Sequence, residues 1–595
     1  MQRLKTSHQK LAGRTCASMP SGEPSPTRRA VPTLTPSCNC QLRRHGVPGL
    51  ARVLANSRIE LVPTSLVPDA TWTRPTSRRV TQGGQTPDSG ACGCSCARAG
   101  VDLGASDRNF ATIVDQSFCD PSKAFIPKDP YYDLKNGLDD RGKIYLPQAN
   151  GVLLNGPIVF LVSGKHEWQP GFPDFFDLGW EYLMKSLASC GFIAVAGNFG
   201  AAEEAVSRRD RIIRHLKQIR KKIQEKGVNP AGQPIVLVGH SKGGEAVTLA
   251  AAEVLKGKAS PEFLSVAGIV ALAPTRETFS NVTALPSTKL LVLQGALDGD
   301  TDDGQGVATL DIYWKRALVE NQGFQPIQSL FWIHGGTHGG FADNAYREAT
   351  GIQLWETDKK TFSEIPKYLS PLTQNFITGA LVSGFVRTIL FNDPIPRKWF
   401  YGNELPLFTH SNKLIQAELL TKMRLFPLRM TPPDDILCEI STCPVSGGLT
   451  FLTLSAPALI PRFAHRRNVY RLGWDLSKNS LPFISFPVKK LPASLVNLHV
   501  EFDATQLLGA AGDMIVQVAV TGGGLSNFVQ MQVAFPQVCT VKEATNVVLG
   551  TIRVPVSLFP AIKSVSDVKG VLISFAKSSP KGELVISAPR LSNTT

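Results

Sequence analysis

Three short runs in this chain carry side chains whose types and order could perform acyl transfer: Gly239-His240-Ser241-Lys242-Gly243, Asp298-Gly299-Asp300 and Thr337-His338-Gly339. The first reads G-x-S-x-G, a pattern that seats a serine on a strained strand-to-helix turn with its hydroxyl exposed at the carboxyl end of a sheet. A serine hydroxyl is a weak nucleophile at neutral pH. It needs a base to take its proton and a carboxylate to hold that base in the right tautomer. His338 lies in a glycine-rich loop that can reach back to Ser241. Two acids compete for the third role. Asp298 directly follows its strand and is the more rigidly placed, which makes it the first choice, and Asp300 is the alternative acid.

Those side chains need rigid elements behind them. The run 235–238 (IVLV) is continuously apolar, as expected of a central parallel strand covered on both faces. Gly239 and Gly243 flank a backbone too tightly folded for side chains, and Gly244 lets the following helix start close to the strand. Further buried strands are expected at 143–146, 157–162, 192–196, 264–273, 289–295 and 329–333. Between them Trp180, Leu183, Met184 and Leu187 recur at helical spacing. Ile212, Leu216, Ile219 and Ile223 form an apolar stripe on a second helix whose Arg and Lys residues read as a solvated face. Strands alternating with helices imply right-handed crossovers and a doubly wound, mostly parallel α/β sheet. The stretch 371–390 is apolar and amphipathic and reads as the last core helix of that sheet rather than as a membrane span.

Beyond about residue 400 the period changes to two. Leu498, Val500 and Phe502 alternate with His499 and Glu501, and strand-like runs at 514–520, 528–535, 547–555, 571–575 and 583–587 follow, with no helix between them. That pattern predicts an all-β antiparallel sandwich. The organisation expected is a segment 1–110 that is disordered or a targeting sequence, an α/β catalytic domain over 111–397, and a β-sandwich over 398–595. Trp474 and the other aromatic residues of the last part are too scattered to define a ligand platform. A carbohydrate- or protein-binding face there stays open beside a structural role.

The formal net charge of +15 over 595 residues invites a nucleic-acid reading that its distribution rejects. The excess sits in the first hundred residues, where Arg is frequent and the acids are Glu23, Glu60, Asp69 and Asp88. The rest is nearly balanced, so no nucleic-acid face is implied. No run of about 18 apolar residues marks a transmembrane segment. The Arg- and Ser-rich, acid-poor N-terminus lacks an apolar secretion core and reads as an organellar transit peptide, a disordered tail or a misassigned start.

Cys92, Cys94 and Cys96 lack a second ligand pair at structural-zinc spacing, and the fold is not expected to rest on a disulfide framework. Cys438 and Cys443 are spaced for a small loop and read equally as a pair or as two buried thiols. Asp298, Asp300, Asp302 and Asp303 mimic a calcium loop, but Asp303 and Thr309 occupy positions where an EF-hand needs Gly and Glu. No metal and no cofactor are expected. His334 is read as a packing residue within its strand, and His240 as structural.

The elbow G-H-S-K-G-G, with DGDTDDGQG and GGTHGGF following in the order Ser, Asp, His, resembles the α/β-hydrolase superfamily of serine esterases and lipases. Within it the elbow is similar to the chlorophyllase-like and dienelactone-hydrolase-like branches, and the motif set to bacterial hydrolases with a C-terminal β-sandwich. The resemblance spans roughly 140–395. It implies Ser241 as nucleophile, His338 as base, Asp298 as orienting acid, and an oxyanion hole from the backbone N–H groups of Lys242 and Lys165. Ser163-Gly164 replaces the usual His-Gly, so His166 stands as an alternative to Lys165. The short link 274–287 leaves no room for the lid domain common in this superfamily, which implies an open site for a small-molecule or polymeric ester. A non-catalytic binding or scaffold protein on the same fold is the competing class.

Overall fold

Apolar runs bounded by turns become the buried strands of a mixed sheet. The computed structural model describes residues 112–114, 119, 124–128, 130–134, 141–164, 178–199, 204–230, 232–255, 265–276, 288–301, 305–307, 309–310, 328–342, 368–401, 405–421 and 425–429. It then describes 445–446, 450–454, 469–475, 483–488, 491–506, 514–521, 528–533, 549–575, 581–587 and 589–593. All of these fall in one compact unit, Val67–Thr595. The segment 1–110, Cys92, Cys94, Cys96, Cys438 and Cys443 lie outside the described residues.

Among the described residues the larger sheet has 11 strands. Its centre is a parallel run in the spatial order Ile193–Gly197, Ile158–Val162, Ile235–His240, Val266–Leu272, Lys289–Gly295, Gln328–Ile333. Both margins are antiparallel: Arg141–Ala149 flanks Ile193–Gly197, and Leu425–Arg429 flanks Gln328–Ile333. Successive strand side chains point to opposite faces, so each apolar strand feeds two cores. Ile158, Phe160 and Val162 pack with Ile212, Leu216, Ile219 and Ile223 of helix Ala205–Glu225 and with Ala246 and Ala250 of helix Lys242–Leu255. Val159 and Leu161 share the other core with Leu183 and Leu187 of helix Glu181–Ser189 and with Leu381 and Phe385 of helix Pro371–Phe391. Helices thus cover both faces of a mixed α/β sheet. Among the described residues no helix is long and apolar enough to cross a membrane.

One reading of helix Ala205–Glu225 needs correction. Its apolar stripe is buried as expected, but Arg208, Arg211 and His215 are buried too. Arg208 stands four residues before Ile212, one helical turn along the same stripe, so it enters the core rather than the solvated face.

From Val445 onward the described strands pair antiparallel in separate sheets of five and six strands. Leu472, Trp474, Val500 and Phe502 from one sheet and Ile484, Phe486, Val571 and Ile573 from the other fill a common core. Trp474 packs over Gly582, where a Cβ would press on the indole. Strand Leu498–Gln506 carries Glu501 and Asp503 on its reverse face, yet both are buried. Isolated buried charges are expensive, and here each has a guanidinium partner. Arg590 Nη1 lies 2.9 Å from Asp503 and its Nε 3.2 Å from Glu501, and Arg553 also pairs with Glu501. On this face Val585, with Leu549, joins the core of helices Ala205–Glu225 and Lys242–Leu255.

Two features depart from the sequence-based outline. Helix Lys413–Thr421, whose Ile415 and Leu419 enter the α/β core, follows residue 400, where only strands were expected. Strand Leu425–Arg429 likewise carries the mixed sheet past the boundary expected at 397. In addition, Cys119 and Cys190 form a disulfide across a sequence separation of 71, with Cα atoms 5.2 Å apart. The cystine anchors the chain to the C-cap of helix Glu181–Ser189.

Candidate active site

The strand Ile235–His240 is buried throughout and turns into helix Lys242–Leu255 through a single residue, Ser241. That residue has φ 54°, left-handed for a non-glycine and costing on the order of 1–3 kcal/mol. Surrounding hydrogen bonds hold it there. Ser241 N–H donates to the Leu272 carbonyl at 2.9 Å, and the Ser241 carbonyl accepts from Gly244 N–H at 2.9 Å and Thr275 N–H at 3.2 Å. The turn is closed tightly enough that a Cβ at Gly239 would strike the Gly243 carbonyl, and one at Gly243 would strike the carbonyls of Val162 and Ser163. Ser241 itself is only 5% exposed, not on an open turn as the motif suggested. Gly164 backs onto it, and a Cβ at Gly164 would lie 2.7 Å from the Ser241 Cβ.

His338 arrives from the loop after Gln328–Ile333, three strands along the sheet from the elbow strand. Gln328–Ile333 ends at Ile333, and His334 is half-buried in the turn beyond it rather than within the strand. The loop is then pinned at Thr337, whose N–H donates to Gln374 Oε1 at 2.9 Å while its carbonyl accepts from Gln374 Nε2 at 2.8 Å. Gln374 stands on helix Pro371–Phe391, so this clamp registers the loop against the sheet. On the elbow side, His240 Nε2 lies 3.1 Å from the His338 carbonyl, and the two imidazoles are 4.6 Å apart, centroid to centroid. His240 therefore joins the His338 loop to the Ser241 turn. Its ring also meets Trp180 and Phe341.

Asp298 follows strand Lys289–Gly295 and is buried, with Oδ2 3.0 Å from His338 Nδ1. The same oxygen accepts from Gln294 Nε2 at 2.7 Å and Thr301 Oγ1 at 2.8 Å. Oδ1 takes the N–H groups of Asp300 and Thr301. Burial alone would raise the Asp298 pKa, but the His338 charge and these hydrogen bonds outweigh it and hold the carboxyl below its ordinary 3.8. Asp300 is on the other side of the ring, its Oδ2 3.2 Å from His338 Nε2, and its side chain is 55% exposed. The two candidate acids thus address different nitrogens.

Lys242 begins the helix, which sets its N–H at the positive end of the helix dipole beside Ser241. Its side chain is buried, with Nζ 3.4 Å from Glu204 and 3.9 Å from Glu245. Glu245 is fully buried and accepts from Thr275 Oγ1 at 2.6 Å. Lys165, His166, Asp302 and Asp303 lie outside the described residues. Among the described residues no group of three or more His, Cys, Asp or Glu side chains is gathered to hold a metal ion.

Several supporting residues escaped sequence reasoning. Thr301 had a visible signal, a hydroxyl three residues after an aspartate, which favours a turn closed on that carboxylate. Gln294 and Gln374 carry no motif. Set against known proteins, the chain matches no family profile, and no curated protein matches it significantly.

Proposed function

We propose that the chain is a serine hydrolase of the α/β-hydrolase type that cleaves carboxylic esters through an acyl-enzyme. The observation that carries this reading is the buried Asp298–His338 pair, delivered by a loop seated against the strained Ser241 turn. The chain order of nucleophile, acid and base, each following a strand of one parallel run, supports the fold assignment. In the reaction, Ser241 Oγ attacks the ester carbonyl and passes its proton to His338 Nε2. The oxyanion is met by the Lys242 N–H. The tetrahedral adduct expels the alcohol, which takes the proton back from His338, and a water repeats the sequence to free the acid. Asp298 holds the ring so that Nδ1 carries a proton throughout and Nε2 is the working atom.

The test is labelling by a fluorophosphonate probe with Ser241→Ala as control, followed by turnover on esters of rising acyl length. Labelling and turnover abolished in a folded Ser241→Ala variant are the expected result. A folded variant with wild-type turnover would sink the mechanism. If the wild type shows neither labelling nor turnover, a binding protein on this scaffold becomes the better reading.

A further inference from the structure

The Ser163–Gly164 peptide lies between the nucleophile's turn and helix Ala205–Glu225. On one side, the Ser163 carbonyl occupies the space that a Cβ at Gly243 would need, so it touches the elbow directly. Gly164 in turn stands where a Cβ would meet the Ser241 Cβ and the carbonyl and ring of His240. On the other side, Arg208 Nη1 donates to the Ser163 carbonyl oxygen at 3.1 Å, and Arg208 is 0% exposed. Sinking a guanidinium this deep is costly, several kcal/mol before compensation.

A trans peptide is planar, with its C=O and N–H pointing in opposite directions. Gripping the Ser163 oxygen therefore fixes the plane of the whole unit, including the edge that Gly164 presents beside Ser241. We propose that Arg208 is a positioning residue for this serine hydrolase, locking the Ser163–Gly164 peptide so that the backbone flanking Ser241 is preorganised for the tetrahedral oxyanion. The inference rests on the hydrolase reading above. Arg208 acts through the Ser163 carbonyl and does not touch substrate. Loosening this peptide disturbs backbone beside Ser241 whose placement matters only once charge develops on the carbonyl oxygen, so the effect appears in turnover and not in substrate binding.

The experiment compares wild type, Arg208→Lys and Arg208→Met on the best ester of the panel, reading kcat and KM separately, together with inhibition by an alkylboronic acid that forms a tetrahedral adduct on Ser241. Circular dichroism and melting establish folding. Arg208→Met should lower kcat by about 10- to 100-fold with KM changed by less than about threefold. Boronate affinity should fall by a comparable factor, and Arg208→Lys should recover part of both. A folded Arg208→Met variant with wild-type kcat and boronate affinity, or a loss confined to KM, overturns the proposal. Should Arg208→Met fail to fold, Arg208→Lys decides by the same paired loss of kcat and boronate affinity. Failure of both variants to fold makes Arg208 a scaffold residue and also overturns the proposal. A wild type that neither turns over esters nor takes the fluorophosphonate fails at the earlier step, the hydrolase reading itself.

Discussion

The Oδ2 atom of Asp300 stands 3.2 Å from Nε2 of His338. Asp298 holds the opposite nitrogen of the same ring at 3.0 Å, so two acids separated by one glycine bracket one imidazole. Their environments differ sharply. Asp298 is buried and takes hydrogen bonds from Gln294 and Thr301, whereas Asp300 is largely exposed and reaches the ring from the solvent side. An acid fixed by its neighbours suits an orienting role. Under the proposed mechanism, an acid on Nε2 would compete with the serine.

This division sets the ranking of two amide substitutions. Asp298→Asn should remain folded and lose on the order of a thousandfold or more in turnover, because an amide cannot hold the imidazole in the same tautomer. Asp300→Asn should stay within about tenfold of wild type, since only an exposed contact changes. Measured kcat for both on one ester checks this, and the opposite ranking would move the orienting role to Asp300.

The Gln374 clamp predicts a stability effect away from the reacting atoms. Gln374→Leu strips both partners from the Thr337 backbone inside the protein, which should cost about 2–4 kcal/mol in unfolding free energy. Turnover should fall with it, because Thr337 immediately precedes His338. Gln374→Glu keeps an acceptor for the Thr337 N–H and loses the donor, so it should fall between. Urea titrations paired with kcat measurements separate the three proteins.

His215 should make stability depend on acid. It sits among Phe160, Phe199 and Tyr132, with the Tyr132 hydroxyl 2.8 Å from Nδ1. Burial, with repulsion from Arg211 and Arg214, pushes its pKa from 6.5 down to about 3. Between those values the unfolded chain binds a proton that the folded one refuses, so stability is complete above about 6.5 and declines as pH falls toward 3. The full decline is on the order of 5 kcal/mol. His215→Gln should flatten it, which denaturant midpoints at pH 7, 5.5 and 4.5 would reveal. An unchanged slope would contradict the neutral, buried state of this ring.

The cystine Cys119–Cys190 closes a long loop. With a separation of 71 residues, chain entropy gives it about 4 kcal/mol of stabilisation in the simplest treatment. The double variant Cys119→Ser with Cys190→Ser should melt lower by an amount equivalent to about 2–4 kcal/mol. Non-reducing peptide mapping should find the two cysteines linked. Free thiols at both positions in the oxidised protein would remove this staple from the fold.

Much of the α/β layering was legible because it is local. Runs such as 235–238 are apolar at every position, and the elbow glycines announce a turn that only glycine permits. The order of Ser241, Asp298 and His338 along the chain was equally readable. What escaped were pairings between distant residues. Gln374 meets Thr337, Arg208 meets Ser163 and Cys119 meets Cys190 across spans with no periodic signature. Arg208 misled for a definite reason. Its charge argued for solvent while its spacing from Ile212 argued for the core, and the spacing prevailed because a backbone carbonyl waited there. Exposure at Ser241 was misjudged because the motif specifies the turn and says nothing of Gly164 packing on it.

The strand Leu425–Arg429 has a consequence for anyone dividing this protein into pieces. It lies along Gln328–Ile333, the strand that launches the His338 loop, and satisfies that strand's outer backbone groups. A fragment cut at residue 397 would strip this cover from an apolar strand and offer an unpaired ladder to any passing chain. Such edges recruit one another. The fragment should therefore precipitate or associate where one ending after Arg429 has that edge sealed, and a workable cut falls past the place where the period of the sequence changes.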